Sequence, residues 1–196
     1  MTIPDRETCY RLFKHTEMLD NIVRHSIQVC RVALLLTDAL PENRNGMDRN
    51  LVRAAALLHD ITKTRSLETG ERHADTGGEY LTGLGYPAVA DIVRQHVRLD
   101  RYEETLPVTE VEIVNYADKR VLHDRITPLE ERMRYIMERY GTDPDVRDRI
   151  VVVWEKTRLL ERKIFFETGI TPEDVSQNLP DPACDLEFAA FRQSRH

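Results

Sequence analysis

Residues 51 to 60 read Leu51-Val52-Arg53-Ala54-Ala55-Ala56-Leu57-Leu58-His59-Asp60. Alanine and leucine are strong helix formers, and Asp48 stands where a carboxylate caps a first turn. The stretch is therefore a helix, apolar over most of its surface, that runs straight into an imidazole and a carboxylate. A helix of that kind belongs inside a core, so His59 and Asp60 sit at the core's edge. Adjacent helical side chains diverge, so the pair can serve two ions or opposite sides of one. The dipeptide alone decides little, because Leu122-His123-Asp124 repeats it.

Outward from this stretch nearly every periodic segment has helical period. A first helix follows Pro4-Asp5 and runs to about residue 15. A second, about residues 18 to 39, carries Ile22, Val23, Ile27, Cys30, Ala33 and Leu34 as a core-facing stripe. Residues 41–46 read as a loop, and residues 62–72 as a polar loop after the central helix. A fourth helix, about 73 to 84, stops at Gly85-Tyr86-Pro87, and Pro87 opens a fifth that ends near His96. After a charged loop at 98–107, Thr109-Glu110-Val111-Glu112 is a capping-box pattern for a sixth helix reaching about residue 122. Two more are expected at about 128 to 140 and 144 to 166. No segment reads as a strand. The fold class is all-α, a single bundle of about seven to eight helices over residues 1–168. Residues 169–196, richer in proline and acid, form a C-terminal arm, packed on the domain or partly mobile.

Composition narrows the classes. The chain has 196 residues, 41% hydrophobic and 32% charged, with 8 glycines, which excludes a disordered or fibrous chain. No apolar run approaches the roughly 20 residues a bilayer needs. The first residues lack a basic region followed by an apolar one, so no signal peptide is expected. Cys9, Cys30 and Cys184 lack CxxC spacing and read as reduced thiols, which points to a cytoplasmic protein. A net charge of −6 argues against stable nucleic-acid binding but not against a phosphate-bearing substrate, whose field a few local groups can set.

His25 lies inside the amphipathic second helix, His73 opens the fourth, His96 closes the fifth after Ile92-Val93, and Asp118 lies in the sixth behind Ile113-Val114. With His59 and Asp60 these are four histidines and two aspartates at element ends or on half-apolar faces. Nitrogen and oxygen donors without thiolate suit Fe, Mn, Zn or similar divalent ions. Six ligands are too many for one catalytic ion with open positions and about right for two ions sharing a carboxylate.

The order His25 … His59-Asp60 … His73 … His96 … Asp118 resembles the HD superfamily of metal-dependent phosphohydrolases, in its six-ligand form, over about residues 18–122. His59-Asp60-Ile61-Thr62-Lys63 is close to the HDIGK string of that superfamily, with Thr62 where glycine is usual. His73-Ala74 followed by Gly77-Gly78 is similar to its H-[AP]-x-x-G-A segment, and Ile92-Val93-Arg94-Gln95-His96 to its I-x-x-H segment. The resemblance implies that His25, His59, Asp60 and Asp118 hold one ion, and that Asp60 bridges to a second on His73 and His96. It implies two divalent ions that activate a water for in-line attack on phosphorus, with Asp60 and Lys63 catalytic. Lys63, and less strongly Arg94 and Arg120, are the candidate contacts to substrate phosphate.

The expected reaction is hydrolysis of a phosphate ester or anhydride of a small nucleotide, diadenosine tetraphosphate being the first to test. A four-ligand nucleotide phosphohydrolase, a non-catalytic nucleotide sensor and a di-iron oxygenase are the rivals. Expected partners are the small substrate and, as an open option, a second copy in a homodimer, with no membrane. Gly85-Tyr86-Pro87 spells a signature of the cyclic di-GMP phosphodiesterase branch but lacks its companions, and reads as a helix-break turn. His123-Asp124 reads as surface or helix-end polarity, His15 as part of a polar loop, and His196 as a terminus without a role.

Overall fold

The computed structural model describes residues 2–41 and 46–194, so most of the expected loop at 41–46, and His196, lie outside the described residues. Eleven helices and one hairpin follow in the order α1 (Arg6–His15), α2 (Asp20–Ala39), α3 (Arg49–Leu58), α4 (Lys63–Thr69), α5 (His73–Gly83), α6 (Pro87–Gln95), α7 (Glu110–Lys119), β1 (Val121–Leu122), β2 (Arg125–Ile126), α8 (Leu129–Tyr140), α9 (Pro144–Thr168), α10 (Pro172–Asn178) and α11 (Asp181–Gln193). Among the described residues the fold is all-α apart from that hairpin, with more helices than the seven to eight expected.

α3 is the inner helix. Val52 and every residue from Ala54 to Leu58 are fully buried, which the small alanines allow by letting neighbours approach from all sides. Asp48 caps it as expected, accepting from the N–H groups of Asn50 and Leu51. α2 packs across α3 and also contacts α7 and α11. α5 and α6 pair closely over Gly77 and Gly78: a Cβ at Gly77 would lie 3.1 Å from Val93 Cγ1, and one at Gly78 3.2 Å from the Ala90 carbonyl oxygen. That close approach brings the start of α5 to the end of α6.

Three departures have physical causes. α4 occupies the expected loop at 62–72; it buries no residue, so it shows no apolar period, and it stops at Gly70 with φ +73°. The sixth expected helix ends early, at Lys119, and the chain turns through a two-residue hairpin with Val121 opposite Ile126 and Leu122 opposite Arg125. His123 sits at φ +59° in that turn. His15 ends an amphipathic helix, α1, that buries Cys9, Tyr10 and Phe13, rather than lying in a polar loop.

α11 lays Cys184, Phe188 and Phe191 against this core, with the Phe191 ring 5.5 Å from Tyr10 and 5.8 Å from Phe13, both edge-on. α7 opens with the capping box of Thr109 and Glu112. Glu112 also pairs at 2.7 Å with the buried Lys163 of α9, a contact whose loss from one side would cost about 3–5 kcal/mol.

Candidate metal centre

Six side chains from five places in the chain meet beside the end of α3. His25 comes from the middle of α2, His59 and Asp60 from the turn after α3, His73 from the first position of α5, His96 from the residue that ends α6, and Asp118 from the last turn of α7. Asp60 lies at the middle. Its Oδ2 is 3.5 Å from His59 Nε2, and its Oδ1 is 3.1 Å from His73 Nε2 and 3.6 Å from His96 Nε2. Asp118 Oδ1 lies 3.0 Å from His25 Nε2 and 3.7 Å from His59 Nε2.

The backbone sets which nitrogen faces inward. His59 Nδ1 lies 2.8 Å from the Ala56 carbonyl oxygen, and His96 Nδ1 2.7 Å from that of Val93. Both acceptors are carbonyls in the last turns of their helices, where the regular ladder runs out; that of Val93 also takes the His96 N–H at 3.4 Å. A carbonyl can only accept, so Nδ1 carries the proton and, in the neutral ring, Nε2 presents its lone pair to the centre. His25 achieves the same across the fold, with Nδ1 2.7 Å from the carbonyl oxygen of His123. The second Leu-His-Asp string therefore enters the site through a backbone atom, while its histidine side chain is exposed.

Electrostatics fit a cation. Burial alone would raise both carboxylic acids, but the imidazoles around them, His59 foremost for Asp60 and His25 for Asp118, hold each well below the usual carboxylate range. Burial pushes His96 down to about 4, which keeps it neutral. At His59 burial pulls the same way, and the Asp60 and Asp118 charges overcome it, so this ring is raised instead. His59 Nε2 and Asp60 Oδ1 are buried without a hydrogen-bond partner. His73 Nε2 stands 3.1 Å from His96 Nε2, two ring nitrogens pointing into the same space. Orphaned buried acceptors and opposed imidazole nitrogens are the arrangement a bound cation satisfies, and the donor set suits a divalent transition ion.

The structure thus brings together all six sequence-selected ligand candidates, and Lys63 with them. Its Nζ lies 3.3 Å from His73 Nε2 and 3.9 Å from Asp60 Oδ1. Thr62, the departure from the glycine pattern, has φ −104°, which needs no glycine. Its hydroxyl donates at 2.9 Å to the His73 carbonyl oxygen and lies 2.9 Å from the Thr76 hydroxyl, fastening α4 to α5.

Two of the expected substrate contacts are engaged elsewhere in the fold. Arg120 is 2% exposed, and its guanidinium donates to the Thr127 and Pro172 carbonyl oxygens and to the Tyr116 hydroxyl. It ties α7 to the hairpin and α10 and has no face toward the centre. Arg94 lays its stem over Gly78 and pairs with Asp91 on its own helix, away from the ligands. Conversely, sequence reading missed Asn115 and Lys119, one turn apart on the buried face of α7. Both donate to the His96 carbonyl oxygen, at 3.0 and 2.7 Å, and so hold the end of α6. Polar residues within a buried stripe were the available signal.

A cavity of about 490 Å³ opens from the centre toward α8 and α9. Five of the six ligand candidates line it, with His59 buried behind them, and its far side is largely apolar. Among the described residues no helix is long and apolar enough to cross a membrane.

Comparison with known proteins gives a match of the HD domain model to residues 22–158. A ribonuclease Y of Aquifex aeolicus is 26% identical over 199 residues, covering 95% of this chain and 34% of that protein. A tRNA (cytidine(56)-2'-O)-methyltransferase of Picrophilus torridus is 35% identical over 146 residues, covering 67% of this chain and 40% of that protein. An uncharacterized protein of Methanocaldococcus jannaschii is 27% identical over 147 residues, covering 68% of this chain and 86% of that protein. The chain therefore spans less than half the length of the first two relatives. No solved structure matches.

Proposed function

This chain belongs to the HD domain family, and we propose on that premise that it is a metal-dependent hydrolase of phosphate esters or anhydrides acting on a small nucleotide. The observation that carries the reading is Asp60. It is a buried carboxylate with one oxygen lacking any hydrogen-bond partner, within 3.6 Å of Nε2 atoms from three histidines on three elements. His25, His59, Asp60 and Asp118 would hold one ion, and Asp60, His73 and His96 a second. When bound, such ions supply Lewis acidity that activates a water and neutralises phosphate oxygens.

The chain's own groups do the rest. The Nδ1–carbonyl bonds hold three rings at fixed angles, so the ligand geometry is set before substrate arrives. Burial keeps bulk water from the carboxylates, which raises the strength of every charge interaction there. Lys63, one third exposed at the cavity mouth, is placed to receive a phosphate oxygen or the leaving group. Three free, buried cysteines fit a reducing compartment and a cytoplasmic enzyme.

Two relatives carry names that point to RNA, so an RNA phosphodiester is the second substrate class to assay. Neither name points to diadenosine tetraphosphate, which enters the assay as one nucleotide among several. The test is metal content of protein purified without chelator, beside hydrolysis of ATP, diadenosine tetraphosphate and a short RNA. Up to two transition ions per chain and metal-dependent turnover are expected. A chain fully stable and active without metal would overturn the reading.

A further inference from the structure

The cavity's far side is built by two helices that the metal centre does not use. On α8, Arg132, Met133 and Ile136 line it; on α9, Arg149, Ile150 and Trp154 do. Spacings of one, three and four residues put each set on one helix face. α8 buries only Leu129 fully; Met133 and Ile136 stay half-buried along the cavity, Met133 also touching the core. At about 490 Å³ the space is within the roughly 300–1,000 Å³ range of small-molecule sites.

The charge there is unusual for this chain. The net charge of the protein is −6, yet the cavity lining holds four cations, Lys63, Lys119, Arg132 and Arg149, against the carboxylates of Asp60 and Asp118. Lys119 is engaged with carbonyl oxygens. Arg132 Nε is buried without a hydrogen-bond partner. Among the described residues neither Arg132 nor Arg149 has a carboxylate within ion-pair distance. A desolvated guanidinium N–H without a partner is costly, and an anionic ligand offsets that cost.

We infer that the α8–α9 face is the site for the remainder of the substrate, an inference that rests on the phosphohydrolase reading of the neighbouring centre. The aliphatic side chains and the indole take a flat nucleoside group, and Arg132 and Arg149 take at least one phosphate beyond the one cleaved. The substrate class is a nucleoside polyphosphate, rather than a simple monoester or an extended RNA strand.

Trp154 is the one tryptophan in the sequence, so its fluorescence reports occupancy of this face without any turnover. Full-length, chelator-treated protein is titrated with ATP, adenosine, pyrophosphate and a single-stranded RNA of about ten nucleotides. ATP is expected to change the signal saturably, with adenosine and pyrophosphate each at least about tenfold weaker. Arg132→Ala with Arg149→Ala should lower ATP affinity by about tenfold or more and leave adenosine unchanged. Arg149→Ala alone, at an exposed position, should move the same way and guards against misfolding of the double variant. No ATP response, unchanged ATP affinity in the arginine variants, or tighter binding of the RNA than of ATP would each overturn the inference. A chain that binds ATP this way but hydrolyses nothing supports this site and removes the phosphohydrolase reading. One that hydrolyses p-nitrophenyl phosphate with no ATP response does the reverse.

Discussion

Leu58-His59-Asp60 and Leu122-His123-Asp124 are the same three residues in the same order, and they have opposite fates. The first ends a helix whose last five residues are all buried, so both polar side chains emerge inside the protein among other histidines. The second occupies a hairpin turn where φ at the histidine is +59°, so the side chain goes to solvent and the carbonyl oxygen goes to His25. What a dipeptide contributes is decided by the element it terminates. One copy supplies candidate ligand atoms, and the other supplies a backbone acceptor that fixes the tautomer of a third candidate, His25.

The largest effects should come from the first copy. Asp60→Ala or His59→Ala should strip most bound metal and abolish hydrolysis, read by metal analysis and steady-state kinetics on one preparation. Asp118→Asn should do the same, because it removes an anionic donor from the His25–His59 side. Retained metal and turnover in any of these would dissolve the contrast between the two copies.

Lys63→Ala probes the cation beside the first copy. Turnover or substrate binding should fall by roughly 10- to 100-fold, about 1.4–2.7 kcal/mol, with metal content intact. Loss of metal as well would make Lys63 a structural support for His73 instead.

The second copy is tested through its backbone. His123→Val places a β-branched residue at positive φ, at a cost of about 1–3 kcal/mol. It should lower the melting temperature and, by disturbing the carbonyl that orients His25, reduce metal affinity or activity by roughly tenfold. His123→Gly, free of that steric cost, should behave as the native protein. Equal damage from both would mean that the histidine ring, not the carbonyl, matters. The smallest effect belongs to His123→Ala with Asp124→Ala, an exposed and a half-buried side chain, expected to stay within about threefold in turnover. Collapse of that variant would erase the distinction between the two strings.

Much of this was legible in the chain. The alanine-leucine run before His59 and the stripe of α2 announce buried helices because burial of apolar area dominates their placement. The six ligand candidates stand at ends and half-apolar faces where a merely solvated residue has no reason to be. Other features left no periodic trace. α4 has no buried face, so nothing in its pattern separates it from a loop. Arg120 and Arg94 look like available cations in sequence, yet one is consumed by three acceptors in the core and the other by its own helix.

By itself, then, the sequence determined an all-helical chain and which imidazoles and carboxylates are candidates to hold a metal, because period and side-chain chemistry are local properties. Only the tertiary structure decided that two identical strings play different parts, and that a carbonyl of one orients a ring 98 residues away. It alone also left part of the apolar faces of α8 and α9, Met133, Ile136 and Ile150 among them, along an open cavity while Leu160 and Ile164 of α9 entered the core. An apolar stripe carries no record of what faces it; that depends on where the other helices leave space.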